Sequence, residues 1–66
     1  MVLWVCGKNV AELEEGIVWE LQGIFTTKEA AVAACKNERY FIGPVELNKP
    51  LPEETTSWVG CEYPLG

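Results

Sequence analysis

Histidine and aspartate are absent from this chain, and arginine and serine occur once each, as Arg39 and Ser57. General acid–base and metal chemistry rely on histidine and on carboxylate pairs held in unlike environments. The acidic groups that do occur close together, Glu12 with Glu14 and Glu15 and the adjacent Glu53 and Glu54, have no neighbour that pulls two pKa values apart and read as solvated loop charge. A cysteine nucleophile needs a base, and without histidine Cys6, Cys35 and Cys61 have none. The expectation is a protein that is not an enzyme and carries neither metal nor cofactor.

Other absences narrow the class further. Cys6, Cys35 and Cys61 are odd in number and contain no C-x-x-C pair, which argues against a disulfide framework or a four-ligand zinc site. Each lies in an apolar run and reads as a free thiol in a reducing compartment. The five basic residues (Lys8, Lys28, Lys36, Arg39 and Lys49) face ten Glu for a net charge of −5, and no basic patch suited to duplex nucleic acid or anionic lipid is visible. Met1 to Gly7 lacks the charged region of a signal peptide, and no stretch approaches the roughly 18 apolar residues of a membrane span. A cytoplasmic protein with no membrane partner is expected.

What remains is aromatic and apolar. The chain has 66 residues, three Trp and 48% hydrophobic side chains. That length forms one domain over 1–66, and such a domain buries only about 60% of the surface its unfolded chain exposes. Small scaffolds gain stability from disulfides, metals or partner subunits. With the first two unavailable, the apolar excess points to burial between chains and a homo-oligomer.

Along the chain, Val2 to Cys6 reads as a strand buried on both faces and Gly7-Lys8-Asn9 as its end. Asn9 to Glu15 reads as an acidic loop with a turn. Ile17 to Phe25 alternates apolar and polar residues, with a bulge or bend at Gly23. Thr26-x-x-Glu29 is a capping box, predicting a helix over about 27–36 with Asn37 as a left-handed stop. Its small face, Ala30, Ala31, Ala34 and Cys35, lets it lie close on a sheet. Arg39 to Leu47 reads as an edge strand because of Pro44, the segment 48–56 as extended loop, and Ser57 to Tyr63 as a final strand. The fold class is α+β, a β-β-α-β-β domain with an antiparallel or mixed sheet and one helix on one face. One helix leaves the other face to a subunit or a ligand.

Trp4 and Trp19 lie on apolar faces and read as core, whereas Trp58 follows a proline-rich loop and reads as reaching a ligand or a partner. Tyr40, Phe41 and Tyr63 are further aromatics that stack well on bases. Thr26, Thr27 and Lys28 open the helix, where free backbone N–H groups attract anions, and Lys8 and Arg39 are additional phosphate partners.

Gly23-Ile24-Phe25-Thr26-Thr27-Lys28-Glu29-Ala30-Ala31, the strand ending Trp4-Val5-Cys6-Gly7, and Gly43-Pro44-Val45 with Trp58 and Tyr63-Pro64 together resemble short open reading frames of bacteriophages and prophages. The resemblance implies a host-takeover or anti-defence factor acting in the host cytoplasm. It further implies a sponge-like oligomer that sequesters a cyclic nucleotide signal without cleaving it. Trp58 or Tyr40 would then stack on the base, and Thr26, Thr27, Lys28 or Arg39 would meet phosphate. Two alternatives are an acidic inhibitor that covers a host enzyme or defence complex and a structural phage component.

Overall fold

Apolar residues on the alternate positions of three segments build one antiparallel sheet in the computed structural model, which describes residues 1–54 and 57–66. Its strands are β1 (Val2–Leu13), β2 (Gly16–Phe25) and β3 (Tyr40–Glu46), in the order β2-β1-β3, with one helix, α1 (Lys28–Ala34), between β2 and β3 in sequence. The fold is thus a small α+β fold, an open antiparallel sheet with a short helix, as its sequence indicated. β1 is central, which explains its continuous apolar start.

The first strand runs further than Val2 to Cys6. The segment from Asn9, expected as a loop, is the second half of β1 and pairs with β2 down to Leu13 opposite Gly16. Glu14 and Glu15 make the turn, and Gly16 follows at φ 146°, a value that suits a residue without Cβ. The expected irregularity beside Gly23 is present. Cys6 faces Gly23 while Gly7 faces Leu21, so Gln22 is the extra residue of a bulge. A second shift sets Val10 as the extra residue on β1, between Asn9 and Ala11.

The helix is shorter than expected and its cap is shifted by one. Thr27, not Thr26, is the N-cap, and its Oγ1 accepts the N–H of Ala30 at 3.2 Å. The helix ends at Ala34 with Cys35 as its extended C-cap, so Lys36 lies beyond the last turn, and Asn37 is not left-handed. Instead, Asn37 Oδ1 accepts the N–H of Arg39 and shapes the turn into β3. Seven residues do not hold a helix in water alone. Packing holds this one, through buried Ala31 and Cys35 and half-buried Val32, while Ala30 stays exposed. Thr27→Ala is expected to cost about 1 kcal/mol and Thr26→Ala only a few tenths, read from urea midpoints.

The core lies between α1 and one face of the sheet: Cys6, Ala31, Cys35, Tyr40 and Ile42, flanked by Trp4, Phe25 and Val32. Ser57 to Tyr63 is not a fourth strand. It meets β3 in a single bridge, where Ile42 and Glu62 exchange N–H···O bonds of 2.9 Å each. Gly60 at φ 89° breaks the extended path. Thr55 and Thr56, the end of the loop expected over 48–56, lie outside the described residues. No helix among the described residues is long and apolar enough to cross a membrane.

Candidate functional site

Residues directly opposite each other in an antiparallel pair project to the same face. Pairing of Cys6 with Ile42 and of Lys8 with Tyr40 places these side chains on the helix face. Gly7 opposite Phe41 and Leu21, Val5 opposite Gly43 and Ile24, and Asn9 opposite Trp19 define the other face. Glycine occupies two of those positions, and aromatic rings fill the space. A Cβ on Gly7 would meet Phe41 Cζ at 2.5 Å and Trp19 Cε3 at 2.7 Å, and one on Gly43 would run into the Trp58 indole.

The result is a layer of four aromatics. Phe41 stands edge-on to Trp19 at 5.2 Å and to Trp58 at 6.0 Å, and lies 5.7 Å from Tyr63. Each such pair contributes about 0.5–1.5 kcal/mol beyond its buried area. Two hydrogen bonds pin the C-terminal segment over the sheet. Trp58 Nε1 donates to the Pro44 carbonyl at 2.7 Å, and Asn9 Nδ2 donates to Tyr63 Oη at 2.6 Å. The face opposite the helix, expected to need a subunit or a ligand for cover, is therefore partly covered by the chain itself. The cover stops at Trp19, which is 44% exposed and so is not the core residue expected from sequence.

Trp58 lines an open groove of about 480 Å³ with Pro44, Val45, Lys49 and Ser57. The remaining sequence-predicted site residues do not converge on it. Tyr40 is only 6% exposed, in the helix-side core with the Lys8 ammonium 5.8 Å from its ring centroid, so the expected stacking role is corrected: its ring has no free face for a base. Thr27 is used as the cap, and Thr26 is exposed beside it. Lys28 Nζ pairs with Glu62 at 2.7 Å and sits 5.8 Å from the Trp4 ring. The Glu62 carboxylate, hydrogen-bonded and opposite in charge, raises the Lys28 pKa. Arg39 lines a separate cleft with Asn9, Glu12, Glu38 and Tyr63. That cleft lies four strand steps from Gly43, roughly 13 Å away along β3.

Cys6 and Cys35 are buried with their Sγ atoms 4.0 Å apart, and Cys61 is exposed. Burial, reinforced by the neighbouring Cys6, pushes the Cys35 thiol up to about 11. A thiol whose folded pKa exceeds its unfolded value leaves stability flat below the unfolded pKa of about 9 and lowers it as pH rises through the folded value. The thermal midpoint is thus expected to fall between pH 9 and 11, and Cys35→Ala is expected to flatten that fall.

β2 is the part of the surface that sequence reasoning missed. Ile17, Val18, Trp19, Leu21 and Ile24 are 44–57% exposed on a strand that pairs only through β1. Their alternation signalled a buried face, but strand order decides burial, and strand order was not in the pattern. No known protein family matches the chain, and no curated protein or solved structure is significantly similar to it.

Proposed function

We propose that this chain is a non-enzymatic binding protein that works by protein–protein contact through the β2 side of its sheet. One observation carries the reading: Ile17, Trp19, Leu21 and Ile24 lie exposed on one face of β2, beside an edge that no described strand pairs. Clustered exposed apolar surface of this kind marks interaction sites rather than ordinary solvent-facing surface. Taken with the resemblance to short phage reading frames, the reading makes the chain an accessory factor that acts by occupying a partner. The acidic inhibitor of the sequence reading belongs to the same class, with the apolar edge rather than the acidic loops as its contact. The test compares proteins retained from bacterial lysate by the tagged wild-type chain and by its Leu21→Glu variant. Partners lost on Leu21→Glu support the reading, and an identical retained set overturns it.

Sequestration of a cyclic nucleotide is the second reading, favoured by the half-exposed Trp58 ring beside Lys49 and Ser57 in one groove. Glu46 in the same groove and the net charge of −5 oppose an anionic ligand. Thr26, Thr27, Lys28 and Arg39 stand apart from the groove and give this version of the site no phosphate contact. Native mass spectrometry with a panel of cyclic di- and trinucleotides tests it. A retained nucleotide whose affinity drops about tenfold or more in Trp58→Ala supports stacking. An unchanged affinity in that variant excludes the groove.

A further inference from the structure

We infer that the β2 edge binds the β2 edge of a second copy of this chain, antiparallel about a two-fold axis at Trp19, joining two three-stranded sheets into one of six strands. The inference rests on the reading of β2 as the binding surface and names its partner.

The first argument is the difference between the two sheet edges. β3 is blunted: Pro44 lacks an N–H, Glu62 bridges Ile42, and Trp58 holds the Pro44 carbonyl. β2 carries no Pro and no Lys, and its single charge, Glu20, lies opposite Lys8 of its own chain. Proteins whose edge stays in water protect it with such residues. Among the described residues one edge is blocked, and on the other only the bulge at Gln22 interrupts the strand, leaving the regular run 17–21 open.

The second argument is area. A folded monomer of 7.4 kDa is expected to expose about 4,200 Å². This chain exposes 5151 Å², an excess of about 900 Å². One partner in a standard protein–protein interface buries about 800 Å², so the excess, to which exposed Leu51 and Val59 also contribute, is of the size that one partner of a dimer loses. Shape agrees: the chain is a slab of 32 × 32 × 15 Å with a radius of gyration of 12.3 Å, against about 10.8 Å for a globular chain of this length.

The third argument fixes the register. Asn9 donates its N–H to the Arg39 carbonyl on the β3 side, and Trp19 lies opposite Asn9. The Asn9–Trp19 pair is therefore not hydrogen-bonded, and the Trp19 N–H and C=O point away from β1. Alternation gives Ile17 and Leu21 the same outward direction. The regular run between the turn at Gly16 and the bulge at Gln22 is 17–21, whose midpoint is Trp19. Centred there, Ile17 faces Leu21 of the second copy, Trp19 faces Trp19, and Glu20 faces Val18, so no like charges meet. Centring on Glu20 would set two carboxylates directly opposite, which is unfavourable. Centring on Val18 would set Leu21 against Glu15.

Sedimentation velocity at about 100 µM, above the micromolar dissociation constants that the weaker interfaces of this size reach, is expected to give a dimer. I17K and L21E change exposed side chains and are each expected to weaken it at least about tenfold with an unchanged far-UV spectrum. Mixing the two variants is expected to recover a mixed dimer, because the new opposite charges meet in this register. A wild-type monomer, or a dimer indifferent to both substitutions, overturns the inference, and failure to form the mixed dimer overturns the register. Hydrogen exchange checks the same point without mutation. The amides of Ile17, Trp19 and Leu21 are expected to lose protection on dilution while those of Val18 and Glu20 do not, and free exchange of the first three at every concentration overturns the pairing. A monomer whose lysate partners still depend on Leu21 removes the second copy and keeps β2 as the binding surface.

Discussion

Ile42→Ala is expected to leave this domain largely unfolded at room temperature, or within a few degrees of its midpoint. Ile42 has no exposed surface and sits at the centre of the helix-side core, among Cys6, Ala31, Cys35 and Tyr40. Truncating such a side chain costs about 2–5 kcal/mol, because the transfer free energy is lost and a cavity remains. A chain of 66 residues has a total stability of roughly 3–10 kcal/mol, so one substitution removes a large share of it. The size of the loss follows from how little core there is: the helix contributes Ala31, Cys35 and half-buried Val32, and Ile42 is the largest side chain with no exposed surface. Its backbone bonds to Glu62 survive the substitution, so the loss measures packing alone. Ile42→Val is expected to cost only about 0.5–1.5 kcal/mol. Glu62→Ala, which removes an exposed ion pair to Lys28, is expected to cost less than about 1 kcal/mol. Urea unfolding of the three variants ranks them, and an Ile42→Ala midpoint close to wild type would show that the core is elsewhere.

Much of the fold was legible because local chemistry and tertiary pairing agree in those segments. Val2 to Cys6, Ile17 to Phe25 and the residues around Pro44 carry strand patterns, and they are strands. The Thr26-Thr27 pair at a strand end marked the helix start, but the two hydroxyls compete and sequence alone chose the wrong one. Glu29 stands three residues after Thr26 and completes a box on paper, whereas Thr27 has the extended backbone, φ −130° and ψ 152°, and bonds Ala30. The second half of β1 was missed because Val10-Ala11-Glu12-Leu13 has little alternation of its own. Its strand character comes from the partner across the turn, and the shift at Val10 blurs the period further.

The C-terminal segment failed in the opposite direction. Ser57 to Tyr63 reads as a last strand ending at Pro64, yet Gly60 turns the chain and Trp58 and Tyr63 fold over the sheet instead of extending it. The site misled for a related reason. Tyr40 and Phe41 are adjacent aromatics that composition treats alike, and strand parity sends one into the helix-side core and the other under Trp58. Parity depends on which residue of β1 each one faces: Lys8 for Tyr40, Gly7 for Phe41. A glycine opposite a ring is the legible part of that signal, because it is where a second ring fits.

The same logic at Gly43 leads to an expected change of sign. In the wild-type chain Gly43→Ala is expected to destabilise by about 1–3 kcal/mol, because its Cβ would run into the Trp58 indole and force the ring off the sheet. Backbone strain plays no part, since Gly43 does not adopt positive φ. Trp58→Ala alone is expected to cost a similar amount, through lost contact with Phe41 and Trp19 and a Pro44 carbonyl left without its donor. Once the indole is gone the space over Gly43 is free, and alanine holds a strand better than glycine by roughly 0.5–1 kcal/mol. In the Trp58→Ala background Gly43→Ala is therefore expected to be neutral or stabilising. The coupling between the two positions, about 1–3 kcal/mol, is read from a double-mutant cycle of urea midpoints with near-UV dichroism as a monitor of ring packing. Equal costs of Gly43→Ala in both backgrounds would mean that Trp58 does not rest on Gly43. The groove beside Trp58 would then lose the wall that defines it, and the nucleotide reading would lose its remaining support.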